Sequence, residues 1–393
     1  TDSSALWFWS RLGREEPVMD RAFLLINGNT VRPPVNPLGL EYVGEHLLHN
    51  GVETSVLDLS WKPDWRPAVA RALSGTEPLA VGIGFRNLDD CSSVTRTRFM
   101  PWLERLVAEV KRHTASPVVL GGVGFSIAPE AILRAAGADL GIAGDGEDAA
   151  LRLAACLQRG MDRSDIPNLV YRQGQSVRSN HRSTVGLGSL QTPPRKLFDN
   201  RRYQAEGAMV GVETKRGCAE SCIYCADPLA KGKRLRLRPP EMVAGEMANL
   251  AGQEVCWFHL CDSEFNLPPD HAKQVCHAIL EAGLQEKIRW YTYCAPLPFD
   301  AELARLMAAS GCAGVNFGID SLCDEQLQRL GRRHRLADVE ELVRVLRKAG
   351  LNFFFDMLLG GIGETEQTLR ATAEACRRLE LPARATGYPN AQR

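Results

Sequence analysis

Lys215-Arg216-Gly217-Cys218-Ala219-Glu220-Ser221-Cys222-Ile223-Tyr224-Cys225-Ala226-Asp227-Pro228 places three thiols in one short loop at the spacing C-x3-C-x2-C. Thiolates this close together suit one corner of a [4Fe-4S] cube, leaving the fourth iron without a protein ligand and open to a small chelating molecule. A structural zinc site is the alternative, but it normally takes four ligands at paired C-x2-4-C spacing, and no second pair follows. The loop also orients the fold around it. The apolar strand pattern from Met209 to Thr214 runs straight into it, so the cysteines follow the carboxyl end of a strand, where (β/α) barrels carry their functional residues.

Working outward, strand patterns at 255–260, 288–293, 314–319 and 353–359 alternate with helical ones at 240–251, 270–282, 300–309, 324–330, 339–348 and 366–379. This predicts an α/β chain whose second half, 208–393, is a partial (β/α) TIM-type barrel. Upstream, strands at 22–27, 54–58, 79–85, 117–120 and 139–143 alternate with helices at 38–50, 65–74, 101–113, 129–136 and 149–158. They predict a doubly wound, Rossmann-like domain over 19–160. Residues 161–207 read as a linker whose regular feature is a pair of strands around Gln173-Gly174. Residues 1–18 read as an amino-terminal extension, with Met19 as the natural start.

Lysine plus arginine equals aspartate plus glutamate at 47 each, so no global field favours nucleic acid or an anionic membrane. No apolar run approaches the roughly 20 residues of a membrane span. Twelve cysteines, many inside apolar runs such as Val255-Cys256-Trp257-Phe258, do not form a secreted disulfide framework, so a reducing cytoplasm is the expected compartment. Cys256, Cys276, Cys312 and Cys376 read as core, while Cys261 and Cys294 fall at strand ends. The histidines show no metal-ligand pair spacing, and His259 reads as lying inside a strand.

Cys218, Cys222 and Cys225, with aromatic Tyr224 before the last of them, resemble the signature of the radical S-adenosylmethionine superfamily. The resemblance implies that all three bind iron and that the open iron takes the amino and carboxylate groups of S-adenosylmethionine. Electron transfer then breaks a carbon–sulfur bond to give methionine and a 5′-deoxyadenosyl radical. It also implies an electron donor such as a flavodoxin or ferredoxin.

In the first half, Gly121-Gly122-Val123-Gly124-Phe125 follows the fourth strand and Gly144-Asp145-Gly146-Glu147 the fifth. Glycine at such turns is ordinary turn chemistry or room for a ligand at backbone amides. Their order upstream of the cysteine loop resembles the cobalamin-binding domain of cobalamin-dependent radical S-adenosylmethionine enzymes. That implies a nucleotide tail along Gly121, Gly122, Gly124, Phe125, Gly144, Gly146 and Glu147. The loop after the first strand, Asn27 to Pro34, lacks the histidine that places an imidazole on cobalt in other cobalamin proteins. Phe85-Arg86-Asn87-Leu88-Asp89-Asp90 instead resembles the tryptophan 2-C-methyltransferase branch, which implies Arg86, with Asn87 beside it, under the cobalt. A guanidinium has no lone pair to give. The other reading of Arg86 is a salt bridge to Asp89 or Asp90.

Four barrel strand ends complete the expected site. Asp262-Ser263-Glu264-Phe265-Asn266 resembles the acidic motif that receives the amino group of S-adenosylmethionine, implying Asp262, Glu264 and Asn266. Tyr293 ends the third strand as a candidate catalytic residue. Gly318-Ile319-Asp320-Ser321 resembles the segment that meets ribose and carboxylate, and the Gly360 to Thr365 turn lies near adenine in relatives. A helix N-cap is the alternative for each acidic residue. A family barrel adds a sixth strand and a substrate-capping domain, whereas only 380–393 remain here, implying a short form or a truncated chain. The reading is a methyltransferase passing a methyl group from S-adenosylmethionine through methylcobalamin to a weakly nucleophilic carbon of a small molecule, peptide or natural-product precursor. A cyclase or rearrangement enzyme with the same cofactors, or a non-catalytic cobalamin carrier, is the alternative.

Overall fold

The computed structural model describes residues 21–90 and 95–381. The expected extension at 1–18 and the natural start at Met19 lie outside them, as does nearly all of the segment after Leu379. β1 (Phe23–Asn27) is buried along its whole length, as a continuous apolar strand must be when helices cover both faces of a parallel sheet. β2 (Thr54–Asp58), β3 (Ala80–Gly84), β4 (Val118–Gly121) and β5 (Leu140–Ile142) complete a parallel sheet in the order β2-β1-β3-β4-β5. Helices Leu38–His49 and Glu147–Arg159 pack on one face; Trp65–Leu73, Met100–His113 and Pro129–Ala136 pack on the other. Strand order reverses around β1, so the crevice beyond the carboxyl ends of β1 and β3 is the switch point where such sheets take ligands.

Two features differ from expectation. β6 (Leu169–Gln173) and β7 (Ser176–Ser179), which fall in the expected linker, extend this sheet antiparallel beyond β5. Arg172 fastens them, its Nε donating to Ala138 O at 2.9 Å. The glycine stretch at 121–125 is not a loop: β4 ends at Gly121 and helix Val123–Ile127 follows. Gly122 has φ +102°, and a Cβ there would sit 2.7 Å from Phe85 O. A Cβ on Gly124 would sit 2.9 Å from Arg86 O, so these glycines admit the helix onto the backbone of the loop after β3.

In the second half, β8 (Val210–Val212) leads to a short antiparallel pair, β9 (Lys215–Arg216) with β10 (Arg236–Leu237), which closes off the cysteine loop between them. β11 (Trp257–Leu260), β12 (Arg289–Cys294), β13 (Cys312–Asp320) and β14 (Phe353–Met357) form a parallel sheet with β8, in the order β14-β13-β12-β11-β8. Phe258, Trp290 and Phe317 pack into the core under the helices. By the two-residue alternation of a strand, His259, Cys261, Tyr293, Asn316 and Asp356 point to the opposite, lumen side.

The two halves are locked by buried charge. Arg195, fully buried and inside the expected linker, donates from Nε to Glu41 at 2.6 Å, and from Nη1 to Glu246 at 2.5 Å and to Gly211 O at 3.0 Å. Arg238 lies 2.7 Å from Glu246, which also accepts from the Tyr42 hydroxyl at 3.0 Å. Across the same junction Arg216, two residues before Cys218, donates to both oxygens of Glu147 at 2.6 and 3.0 Å. The carboxyl ends of both sheets therefore face one another.

Candidate active site at the domain junction

The cysteine loop starts from a backbone that only glycine tolerates: Gly217 has φ +99°, and a Cβ there would sit 2.2 Å from Arg234 O. Cys218 is buried, Cys222 half-buried and Cys225 exposed. Burial first, then the charges of Asp227, Cys222 and Cys218, push the Cys225 thiol up to about 11. A coordinating cation reverses such a shift by deprotonating thiols outright. Among the described residues, no group of three or more His, Cys, Asp or Glu side chains is gathered on a single ion. The three neighbouring thiols fit a cube, which gives each of three irons its own thiolate.

Beside them lies a residue absent from the sequence reading. Arg332 Nη1 lies 2.8 Å from Cys222 Sγ, its Nε lies 3.1 Å from Asp320, and its Nη2 donates to Gly318 O. Asp320 also accepts from the Tyr224 hydroxyl. Asp320 itself has φ +59°, a left-handed conformation that costs a non-glycine residue roughly 1–3 kcal/mol. The β13–β14 register shifts between Gly318 and Asp320, turning the carboxylate toward the cysteine loop. Asp356, on neighbouring β14, carries a carboxyl raised by burial and by Asp320, with no hydrogen-bond partner among the described residues.

Glu264 lies half-buried without a hydrogen-bond partner among the described residues, close enough to Cys218 for their charges to couple. Burial pushes its carboxyl up to about 8; Arg332 opposes the shift, while Glu220 and Asp320 add to it. Three expected neighbours are already occupied by the fold. Asp262 accepts from Thr214 N at 2.9 Å, Thr214 Oγ1 at 2.5 Å and Lys215 Nζ at 3.2 Å, pinning the turn that enters the cysteine loop. Asn266 bridges to Ala295 O at 2.9 Å and Pro298 O at 2.6 Å. Ser321 meets Thr372 of the last described helix at 3.0 Å.

On the facing sheet, Gly28, Val31, Gly84, Arg86, Asn87 and Trp102 line a cleft at the switch point. Arg86 is exposed and makes no ion pair with Asp89 or Asp90 among the described residues; its charge reaches His259 and Cys261 of the barrel. Asn27 has turned inward, its amide donating to Asp58 at 3.0 Å and Tyr203 at 2.9 Å. An unligated guanidinium over an open cleft, with no histidine in the β1 loop, fits a corrin left without a protein ligand below. Much of the expected tail cradle is filled by protein. Phe125 is core, seated where a Cβ on Gly141 would lie 2.1 Å from its ring. A Cβ on Gly146 would lie 2.9 Å from Val43, and Glu147 is held by Arg216. A Cβ on Gly121 or Gly144 would keep ordinary contact distances, 3.9 Å to Ile142 O and 3.4 Å to Arg182 Nη1.

Two family descriptions match this geometry: the B12 binding domain over residues 24–154 and the radical SAM superfamily over residues 212–376. The chain belongs to the cobalamin-dependent radical S-adenosylmethionine methyltransferases. It is 32% identical to tryptophan 2-C-methyltransferase of Streptomyces laurentii over 93% of this chain and 71% of that protein. It superposes on the methyltransferase TsrM of Kitasatospora setae, solved with tryptophan and an aza analogue of S-adenosylmethionine, with a TM-score of 0.86 and 33% identity, covering 92% of this chain and 72% of that one. An uncharacterized methyltransferase of Pyrococcus horikoshii is 25% identical over 88% of this chain and 74% of its own length. No helix among the described residues is long and apolar enough to cross a membrane.

Proposed function

We propose that the chain methylates an aromatic carbon of an indole-bearing small molecule such as tryptophan, by polar rather than radical transfer. The observation that carries this reading is Arg86: an exposed cation at the end of β3, without an ion-pair partner among the described residues, whose charge reaches His259 and Cys261 on the barrel lumen. A methyl relay requires one cavity to serve both halves, since reacting atoms must come within about 3–3.5 Å. When bound, cobalamin supplies the transferable methyl group, S-adenosylmethionine its replacement, and the cluster an electron. Arg86 would lie against the corrin without offering the cobalt a lone pair. Cys218, Cys222 and Cys225 hold the cluster; Glu264 takes a cationic partner, the ammonium of S-adenosylmethionine or the open iron. Asp320 and Asp356 offer carboxylate oxygens to the ribose diol, and Arg332, its three nitrogens engaged by Cys222, Asp320 and Gly318, orients Cys222 and Asp320. The aromatic lumen residue Tyr293 flanks the substrate. A small acidic electron donor and a reducing cytoplasm complete the reading; every described cysteine is free of a disulfide.

With methyl-labelled S-adenosylmethionine and tryptophan, label should appear on the indole carbon, and unlabelled or rearranged product would sink the assignment. Arg86→His provides a sharper check of the corrin's position. An imidazole there can ligate cobalt, so the ultraviolet–visible spectrum should shift and remethylation should slow; an unchanged spectrum would place Arg86 away from the metal.

The raised carboxyl of Glu264 gives a pH dependence. The folded, cofactor-free protein holds this proton up to about 8, whereas an unfolded glutamate releases it near 4.5. Its contribution to stability is therefore full below 4.5 and is lost as pH rises through about 8. A bound cation needs the charged form. Affinity for S-adenosylmethionine should thus rise by up to about tenfold per pH unit on approach to that value, and calorimetry should register a released proton. Glu264→Gln should flatten both.

A further inference from the structure

His259 lies on the lumen side of β11, in edge contact with Tyr293 at 5.7 Å between ring centroids. Its Nδ1 lies 3.3 Å from Cys261 Sγ. That sulfur lies 3.3 Å from the His259 carbonyl oxygen, to which its S–H donates. With the thiol hydrogen on the carbonyl the sulfur can only accept from the ring, an arrangement that favours the tautomer with Nδ1 protonated and the lone pair on Nε2. Nε2 has no hydrogen-bond partner among the described residues. That nitrogen lies at the place where Arg86 of the facing domain comes within electrostatic reach.

Its surroundings keep the imidazole neutral. Burial is the largest cause, opposed by Asp262 and assisted by Arg86 and Lys231, and together they bring the ring down to about 4. Asp262 is itself engaged by Thr214 and Lys215. Cys261 and Tyr293 are the other titratable neighbours in contact with the ring. At neutral pH the lone pair is available, and an imidazolium formed beside two cations returns its proton readily.

We propose that His259 is the base that receives the substrate's proton during methyl transfer. The inference rests on the aromatic-carbon methylation set out above. The methyl group arrives without the electron pair of its former bond, which stays with the donor. A carbon–carbon bond forms from a π pair of the ring. The carbon–hydrogen bond at that carbon then breaks, its pair restores the aromatic system, and the proton passes to Nε2 of His259 and on to solvent.

The test uses the holoenzyme, loaded with cluster and methylated corrin and mixed with tryptophan in a single turnover. His259→Gln should slow methyl transfer by about 100- to 10,000-fold, the range of general base catalysis, while tryptophan affinity stays within about threefold. Nitrogen-15 NMR of wild-type protein labelled at histidine should show Nδ1 protonated and Nε2 bare between pH 6 and 8, within about one unit of neutrality. This measurement needs neither a variant nor turnover. A proton on Nε2, or a His259→Gln rate within about threefold of wild type, would overturn the proposal. A bare Nε2 in a wild-type protein that methylates no indole would count against the proposed substrate and not against the histidine.

Discussion

Cys222→Ala protein, reconstituted anaerobically, should hold no complete [4Fe-4S] cube and should consume S-adenosylmethionine at no more than the background rate. The cube has three protein thiolates, and removing one opens a second iron. The damage does not stop at the metal. Arg332 is buried with its Nη1 2.8 Å from Cys222 Sγ, so the alanine strands one end of a guanidinium that also serves Asp320 and Gly318. A buried donor left without its acceptor costs about 1–3 kcal/mol, more when charged. Some of the loss should therefore appear as lower stability even in protein without iron. Cys276→Ala is the control: that thiol is fully buried in the barrel core and lies outside the cysteine loop. It should keep a full complement of iron. Iron analysis together with electron paramagnetic resonance decides the matter, and a complete cluster in Cys222→Ala would mean that these cysteines are the wrong triplet.

What could be read from the chain and what could not divides along the range of the interactions. The strands and helices of both halves were legible because their patterns are local, and the cysteine loop because its chemistry lies within eight positions, Cys218 to Cys225. The acidic motif after β11 was legible only as a group. Nothing local says that Asp262 turns back to Thr214, 48 residues away, while Glu264 stays without a hydrogen-bond partner among the described residues. The glycines at 122 and 124 were legible as turn chemistry or as room for a ligand, but not as the close approach to the backbone of 85–87, a contact set by the pairing of β3 with β4. His259 and Asp356 did leave a signal, since each is a polar residue in an otherwise apolar strand, and alternation alone puts both on the lumen side. Arg332 left none: it sits in a run of basic residues, and only the fold distinguishes it from Arg333, which is exposed.

Arg195→Met should lower the unfolding free energy by about 3–5 kcal/mol at pH 8, the usual cost of removing one partner from a buried ion pair. Arg195 belongs to a segment that reads as a featureless connection, yet its partners lie 154, 16 and 51 residues away. They come from both halves: Glu41 on the helix between β1 and β2, the Gly211 carbonyl on β8, and Glu246 on the first barrel helix. Methionine fills similar volume, so the loss is electrostatic and not a cavity. It leaves Glu246 with Arg238 and Tyr42, but leaves Glu41, among the described residues, with only Asn200, at 2.9 Å. Burial already raises the Glu41 carboxyl, and Arg195 is the first group opposing that shift. In the variant the carboxyl therefore climbs further. A carboxyl raised in the folded state stabilises fully below its unfolded value and loses that contribution as pH rises, so the defect should be smaller near pH 5 than at pH 8 by the linkage relation, on the order of one or more kcal/mol. Glu41→Gln on top of Arg195→Met removes the unpaired charge and should restore part of the loss at pH 8, giving a double-mutant coupling of about 0.5–3 kcal/mol. Urea unfolding of the four proteins at both pH values measures every term. A loss for Arg195→Met below about 1 kcal/mol, the value of an exposed pair, would mean that water reaches this junction and that the two halves are not held together by buried charge.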